Sequence, residues 1–174
     1  MSKYTIDRAH SGISFSVRHM MFAKVRGRFA KWDAEIEHDP LDLTKTRICA
    51  TADASSIDTY QGIRDAHLRS SNFLDVASHH TLVFESRHVA AGSDKHYAVT
   101  GDLTLRGVTK SIVIDVEEVS LGQDPIGKER VRFSARGVLD RRDFGIVWNQ
   151  ILEAGGILIG ELVEVEIDVQ ATEV

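Results

Sequence analysis

The sequence predicts an all-β fold of antiparallel strands, closed as a barrel or stacked as a sandwich. Three observations predict it. Apolar and polar residues alternate with period two in six separate runs, short turn clusters divide the runs, and the two prolines, Pro40 and Pro125, both fall in turns. One dry face and one wet face is the pattern of half-buried antiparallel strands.

The runs follow in chain order. Ile13, Phe15 and Val17 alternate with Ser14, Ser16 and Arg18; Leu82, Phe84 and Ser86 alternate with Val83, Glu85 and Arg87. Tyr97, Val99, Gly101, Leu103 and Leu105 form the next apolar face, then Ile112, Ile114 and Val116. Val131, Phe133, Ala135, Gly137 and Leu139 follow, and the last run sets Val163, Val165, Ile167 and Val169 against Glu164, Glu166, Asp168 and Gln170. Turns at 38–40, 91–94, 122–127 and 155–156 supply glycine, proline and aspartate where the chain must reverse. The pattern predicts about eight strands. Between Asp58 and Ser70 the period lengthens, with Tyr60, Ile63 and His67 on one stripe and Arg64 and Leu68 beside it. This predicts a helix of two to three turns, with Asp58 and Gln61 as a capping box and Asp65 and Arg69 spaced to pair. A second short turn is expected at 140–144.

The 174 residues suit one domain, 1–174, with no repeat, linker or low-complexity tract. The net charge of −5 is spread along the chain and leaves no basic tract for nucleic acid or an anionic membrane. Apolar runs are too short to span a bilayer, so no stable membrane insertion is expected. No apolar stretch of secretory type opens the chain, which predicts a cytoplasmic location, or a periplasmic one if a signal was removed. The one cysteine, Cys49, excludes an internal disulfide and reads as a buried, inert thiol on a strand.

Signatures of nucleophile elbows, phosphate loops, dinucleotide sites and zinc hydrolases are absent. The eight histidines read as exposed or satisfied side chains, and neither a metal nor a cofactor is expected. The dense charge of Asp140-Arg141-Arg142-Asp143 reads as carboxylate–guanidinium pairing that closes one end of the fold. Small residues (Gly101, Gly107, Ala135, Gly137) recur on the apolar faces. They leave either a hollow interior or bent strands around a filled one.

Several blocks occur in an order that resembles the YceI-like family. They are Ile6-Asp7-Arg8-Ala9-His10-Ser11, Ile13 to His19, Val25-Arg26-Gly27-Arg28-Phe29, Arg64-Asp65-Ala66-His67-Leu68-Arg69-Ser70, Val83-Phe84-Glu85-Ser86, Gly101 to Lys110 and Asp140 to Gly145. The resemblance implies a closed antiparallel lipocalin-like β-barrel with a helix near one opening. It implies a non-catalytic lipid-binding protein, holding a long-chain isoprenoid or prenyl quinone for transport, storage or sensing, and pairing as a homodimer. On that reading the cavity wall is Ile13, Phe15, Val17, Phe84, Leu103, Leu105, Phe133, Val165 and Ile167, facing inward by alternation. His10, His19, Arg64, His67 and Arg141 would hold the polar head at the mouth. The alternatives are an enzyme using His10, His67 and Asp143 as acid and base, and an interaction protein with a solidly filled interior.

Overall fold

A computed structural model describes residues 1–153 and 155–174. Eleven strands are hydrogen-bonded into one antiparallel sheet. They are β1 (Ser2–Ile6), β2 (Gly12–His19), β3 (Ala23–Phe29), β4 (Trp32–Asp39), β5 (Asp42–Asp53), β6 (Ile57–Asp58), β7 (Thr81–Ala91), β8 (Tyr97–Leu105), β9 (Val108–Gln123), β10 (Glu129–Asp140) and β11 (Ile159–Glu173). The α-helix among the described residues is α1, Gly62–Arg69, about two turns.

The eleven pieces make an eight-stranded barrel. Two of its staves are each broken into two strands, and a third is continued past a corner by the short β6. β1 and β2 both pair with β11, one on each half of it: Tyr4 faces Glu173 and Ile6 faces Ala171, while Ile13 faces Ile167 and Val17 faces Val163. The step between them is a single 3₁₀ turn, Arg8–His10, bridged by Asp7 N–H to the Gln170 carbonyl at 2.8 Å and by Ser11 Oγ, which accepts from Gln170 N–H. The corner at Ala30-Lys31 divides β3 from β4, opposite a matching 3₁₀ corner, Ala54–Ser56, between β5 and β6. Merging these pieces gives a ring in which β5, β7, β8, β9, β10 and β11 follow one another and the broken staves close the gap. Closure gives every stave two neighbours, with β10 paired to β11 as far as Asp140 and to β9 as far as Arg136.

Turn chemistry sets the registers. Arg106 and Gly107, at φ +51° and +70°, make the two-residue reversal between β8 and β9, with Leu105 paired to Val108. Gly107 is therefore a turn residue and does not belong to the inward face as alternation predicted. Asp124 Oδ1 accepts from the N–H groups of Ile126 and Lys128 and shapes the β9–β10 turn. Two irregularities re-aim side chains: a register shift between Ser86 and His88 in β7, and a bulge at Glu118 (φ +55°) opposite Phe133.

The helix is shorter at its start than expected. Asp58 ends β6, and its Oδ1 accepts from Tyr60 N–H instead of capping the helix. Tyr60 lies outside α1 at φ +64° and is exposed. Asp65 does not pair with Arg69; it is buried and accepts from the backbone and hydroxyl of Thr59. A buried carboxylate needs such partners. The short turn at Arg141–Phe144 is present as a 3₁₀ turn, closed by Gly145 at φ +75°. Asp140 and Glu161 both pair with Arg142, the expected charge closure of this end. Cys49 faces outward and is exposed, because Ile48 and Ala50 take the inward positions of β5.

Two packed clusters lie toward the two ends of the barrel, and the second of them shuts its end. At one end Ile57, Phe73, Leu74, Leu105, Phe144 and Ile146 lie under α1 and the 141–144 turn. At the other, Tyr4, Ile36, Val131, Val169 and Ala171 close the base. His38, 2 % exposed, stacks on Tyr4 at 4.1 Å there. Neither His38 ring nitrogen has a hydrogen-bond partner of good geometry, and burial pushes the imidazole pKa below its ordinary value. Tyr4 donates to Glu129 Oε2 at 2.7 Å, and burial and that carboxylate push its phenol pKa up.

Candidate functional site: an apolar cavity with one mouth

Between the two clusters the barrel is hollow. The cavity measures about 580 Å³ and is walled by inward side chains of nearly every strand. All nine residues predicted from alternation line it: Ile13, Phe15, Val17, Phe84, Leu103, Leu105, Phe133, Val165 and Ile167. The room comes from small residues at inward positions. Ala34, Ala50, Ala52, Ala135 and Gly137 line the wall where Leu or Phe would fill it. Gly101 and Gly27 act differently: a Cβ at Gly101 would stand 2.5 Å from the Phe84 ring, and one at Gly27 2.5 Å from the Phe15 ring. These glycines let two large rings lie flat against the wall.

The base is shut by the Tyr4–His38 stack and Ile36, all 3 % exposed or less. The opposite end is open, since Arg18, Gln61 and Ile63 line the cavity while remaining exposed. The β2–β3 turn, α1, the β8–β9 turn and the 141–158 segment gather at this mouth. His67 on α1 stands at its edge, its ring meeting Trp148 edge-on at 4.6 Å and Phe73 at 4.9 Å. Asn72 Nδ2 donates to His67 Nε2 at 3.1 Å. Arg64 gives Nε and Nη2 to Thr59 at 2.8 Å each, which fixes the strand-to-helix corner and leaves Nη1 turned to other uses.

Four of the five predicted mouth residues, His19, Arg64, His67 and Arg141, line the cavity. Their roles divide. Arg141 is buried and gives four hydrogen bonds to the carbonyls of Ile146, Trp148, Ile159 and Gly160. It ties residues 146–148 to the start of β11 at 159–160 by giving its donors to their carbonyls, the Ile159 carbonyl accepting from Asn149 Nδ2 as well. His10 does not reach the cavity: it lies on the 3₁₀ turn between β1 and β2, exposed, with Nδ1 2.9 Å from Asp7 Oδ2. The break of the first stave at this turn carries it outside. Since neither His10 nor the exposed Asp143 lines the cavity, the acid–base trio with His67 does not assemble there. Among the described residues no group of three or more His, Cys, Asp or Glu is placed to hold a metal ion.

Sequence reasoning missed one side of the wall. Trp32, Ala34 and Ile36 on β4 and Ile48, Ala50 and Ala52 on β5 line the cavity, and their alternation with charged or polar neighbours was a readable signal. Phe73 and Trp148 sit in irregular segments with no period to reveal them.

A model of the YceI-like domain matches residues 4–171. The chain belongs to the YceI-like family. A UPF0312 protein of Vibrio cholerae is 37% identical over 161 residues, 91% of this chain and 84% of that one. A crystal structure of the Campylobacter jejuni YCEI protein superposes with a TM-score of 0.79 at 28% identity, covering 100% of this chain and 99% of that one. A polyisoprenoid binding domain from Saccharophagus degradans, implicated in plant cell wall breakdown, has a TM-score of 0.72 at 16% identity over the full length of both chains. At that identity the likeness is one of fold: the closed eight-stranded YceI-like barrel with a helix at its mouth.

Proposed function

We propose that this YceI-like chain binds one long apolar tail, of the polyisoprenoid or prenyl quinone class, inside its barrel. The carrying observation is the 580 Å³ cavity with an almost wholly apolar wall, a shut base and one mouth. A wall of Phe, Ile, Val, Leu and Ala makes no directional demand on its occupant. It rewards only the removal of hydrocarbon from water, about 0.8 kcal/mol per methylene before ordering losses. The fold shared with a domain named for polyisoprenoid binding supports the same class.

The shut base fixes the orientation. The tail enters first and the head stays at the mouth, beside His19, His67 and the free Nη1 of Arg64. Transport, storage and sensing all require this one property, reversible sequestration of the tail. Solvent extraction of the purified protein with mass spectrometry, and titration with a short-chain prenyl quinone, test the reading. A prenyl lipid that co-purifies, or saturable uptake at one per chain, is the expected result. Repeated absence of both overturns it.

A further inference from the structure

The exposed apolar residues of this barrel are not scattered evenly. Met20, Met21 and Phe22 form the β2–β3 turn, and Phe22 is 95% exposed. Ile63 on α1 is 87% exposed, and Val147 and Ile151 in the adjoining loop 66% and 83%. All six stand around the mouth. Met20 N–H bonds the Leu158 carbonyl at 2.7 Å, and Met21 sulfur occupies the space beside Gly156, so turn and loop form one surface. Met20 and Met21 take left-handed backbone angles, φ +52° and +67°, a conformation uncommon for such side chains, and the turn aims Phe22 outward.

The charge on the same ribbon is one-sided. Arg18 faces Lys24 across β2 and β3, and Arg26 and Arg28 continue the outward row. Lys24 pairs with Glu164 and Arg28 with Asp58, while among the described residues Arg18 and Arg26 have no ion pair. In the sequence Lys24, Arg26 and Arg28 are separated by the inward residues of β3, and Arg18 joins their row from β2. At the opposite end Met1, Leu41, Leu121, Ile126 and Val174 are exposed, but they are spread over two separate turns and the β1–β11 seam, with Asp39 and Asp42 flanking Leu41 and Asp124 beside Ile126.

We infer that the mouth rim docks on the surface of an anionic lipid bilayer, with Phe22 and Ile151 inserted and the Arg18–Arg28 row against the headgroups. Aromatic and aliphatic tips flanked by cations are what an interfacial binder presents to such a surface. A second copy of the chain would set one cationic row against another. The inference rests on the tail-binding reading for its purpose, since a long apolar tail is available from a bilayer and hardly at all from water. Its test does not need the tail.

The test is flotation of the protein with vesicles of phosphatidylcholine, with and without a quarter of phosphatidylglycerol. The wild-type chain should float with the anionic vesicles, and 0.5 M salt should weaken the association. Phe22→Ser/Ile151→Ser should lower partitioning at least about tenfold, Lys24→Gln/Arg26→Gln should abolish the preference for anionic vesicles, and Leu41→Ser/Ile126→Ser should behave as wild type. Thermal melts confirm that each variant is folded. No vesicle association by the wild type overturns the inference, and so does an equal loss in the Leu41/Ile126 variant. A mouth variant that merely turns a dimer into a monomer assigns the rim to self-association and overturns it as well. Vesicle association without uptake of any prenyl lipid leaves the docking standing and removes the proposed cargo.

Discussion

Gly137 offers a direct measure of whether the cavity holds the tail. It lies on the inward face of β10, and a Cβ there would meet its nearest atoms, Val113 O and Ile114 Cγ1, at 3.6 and 3.7 Å, ordinary contact distances. Gly137→Leu therefore fits its first carbon without strain and projects the rest into the cavity. Four added carbons take the place of about four tail carbons, so the longest tail fully housed shortens by about that many. For the longest prenyl alcohol that the wild type houses, four methylenes are forced back toward water, a loss of at most about 3 kcal/mol. The measured loss should be about 2–3 kcal/mol, roughly 30- to 150-fold in Kd. An alcohol one prenyl unit shorter should bind the variant nearly as well as the wild type. Displacement of a fluorescent prenyl probe, run with both alcohols and checked by a thermal melt, gives the comparison. Equal losses for the two lengths, or no loss for either, would refute the assignment of the tail to this cavity.

Other expectations concern stability. Gly101→Ala drives a Cβ to 2.5 Å from both the Glu85 carbonyl and the Phe84 ring, so it should destabilise by about 1–3 kcal/mol in urea unfolding, while Gly137→Ala is neutral or mildly stabilising. A neutral Gly101→Ala would show that the Phe84 ring has another resting place. Arg141→Met strands the carbonyls of Ile146, Trp148 and Gly160, while Ile159 keeps its bond from Asn149 Nδ2, and should remove about 3 kcal/mol, roughly 6–12 °C in Tm. Arg141→Lys should not restore it, because one ammonium cannot span that fork; full rescue by lysine would reduce the role of Arg141 to its charge. His38 holds its folded pKa below the ordinary 6.5, so the unfolded chain takes the proton first. Stability is therefore lost as pH falls below about 6.5, by up to about 1.4 kcal/mol per unit. His38→Phe should remove that component, and parallel urea-stability curves for the two proteins between pH 7.5 and 5.5 would contradict it.

Much of the wall was legible in the sequence because burial on one face of a strand leaves a period-two imprint. The nine residues picked by alternation all line the cavity, since the irregularities near them put the extra residue on the facing strand at Glu118 or beyond Phe84 at Arg87 and leave their own alternation intact. Legibility ended where local geometry breaks the period. The 3₁₀ turn at Arg8–His10 takes His10 off its strand and out of reach of the mouth. Positive φ at Tyr60 delays the helix and frees Asp58 for a turn. Gly107 looked like an inward residue only because the two-residue reversal keeps the spacing intact. Trp32 to Ile36 and Ile48 to Ala52 carry the alternation plainly, but their alanines weaken its apolar contrast, and those alanines are what leave the cavity open. Arg141 read as a partner of carboxylates and a holder of the polar head, because nothing in a sequence marks a guanidinium that spends its donors on carbonyls.

The pairing of β1 with β11 has a consequence for topology and folding. Tyr4 lies beside Glu173, and Val174 N–H bonds the Lys3 carbonyl at 2.9 Å, so the two ends of the chain meet at the base, away from the mouth. The β1–β11 seam joins residues far apart in sequence, a contact whose loop entropy slows folding. A short peptide splice across this seam would convert that contact into a local one. New ends opened at the exposed Leu41 or Ile126 turns would leave every wall residue and the whole rim in their present places.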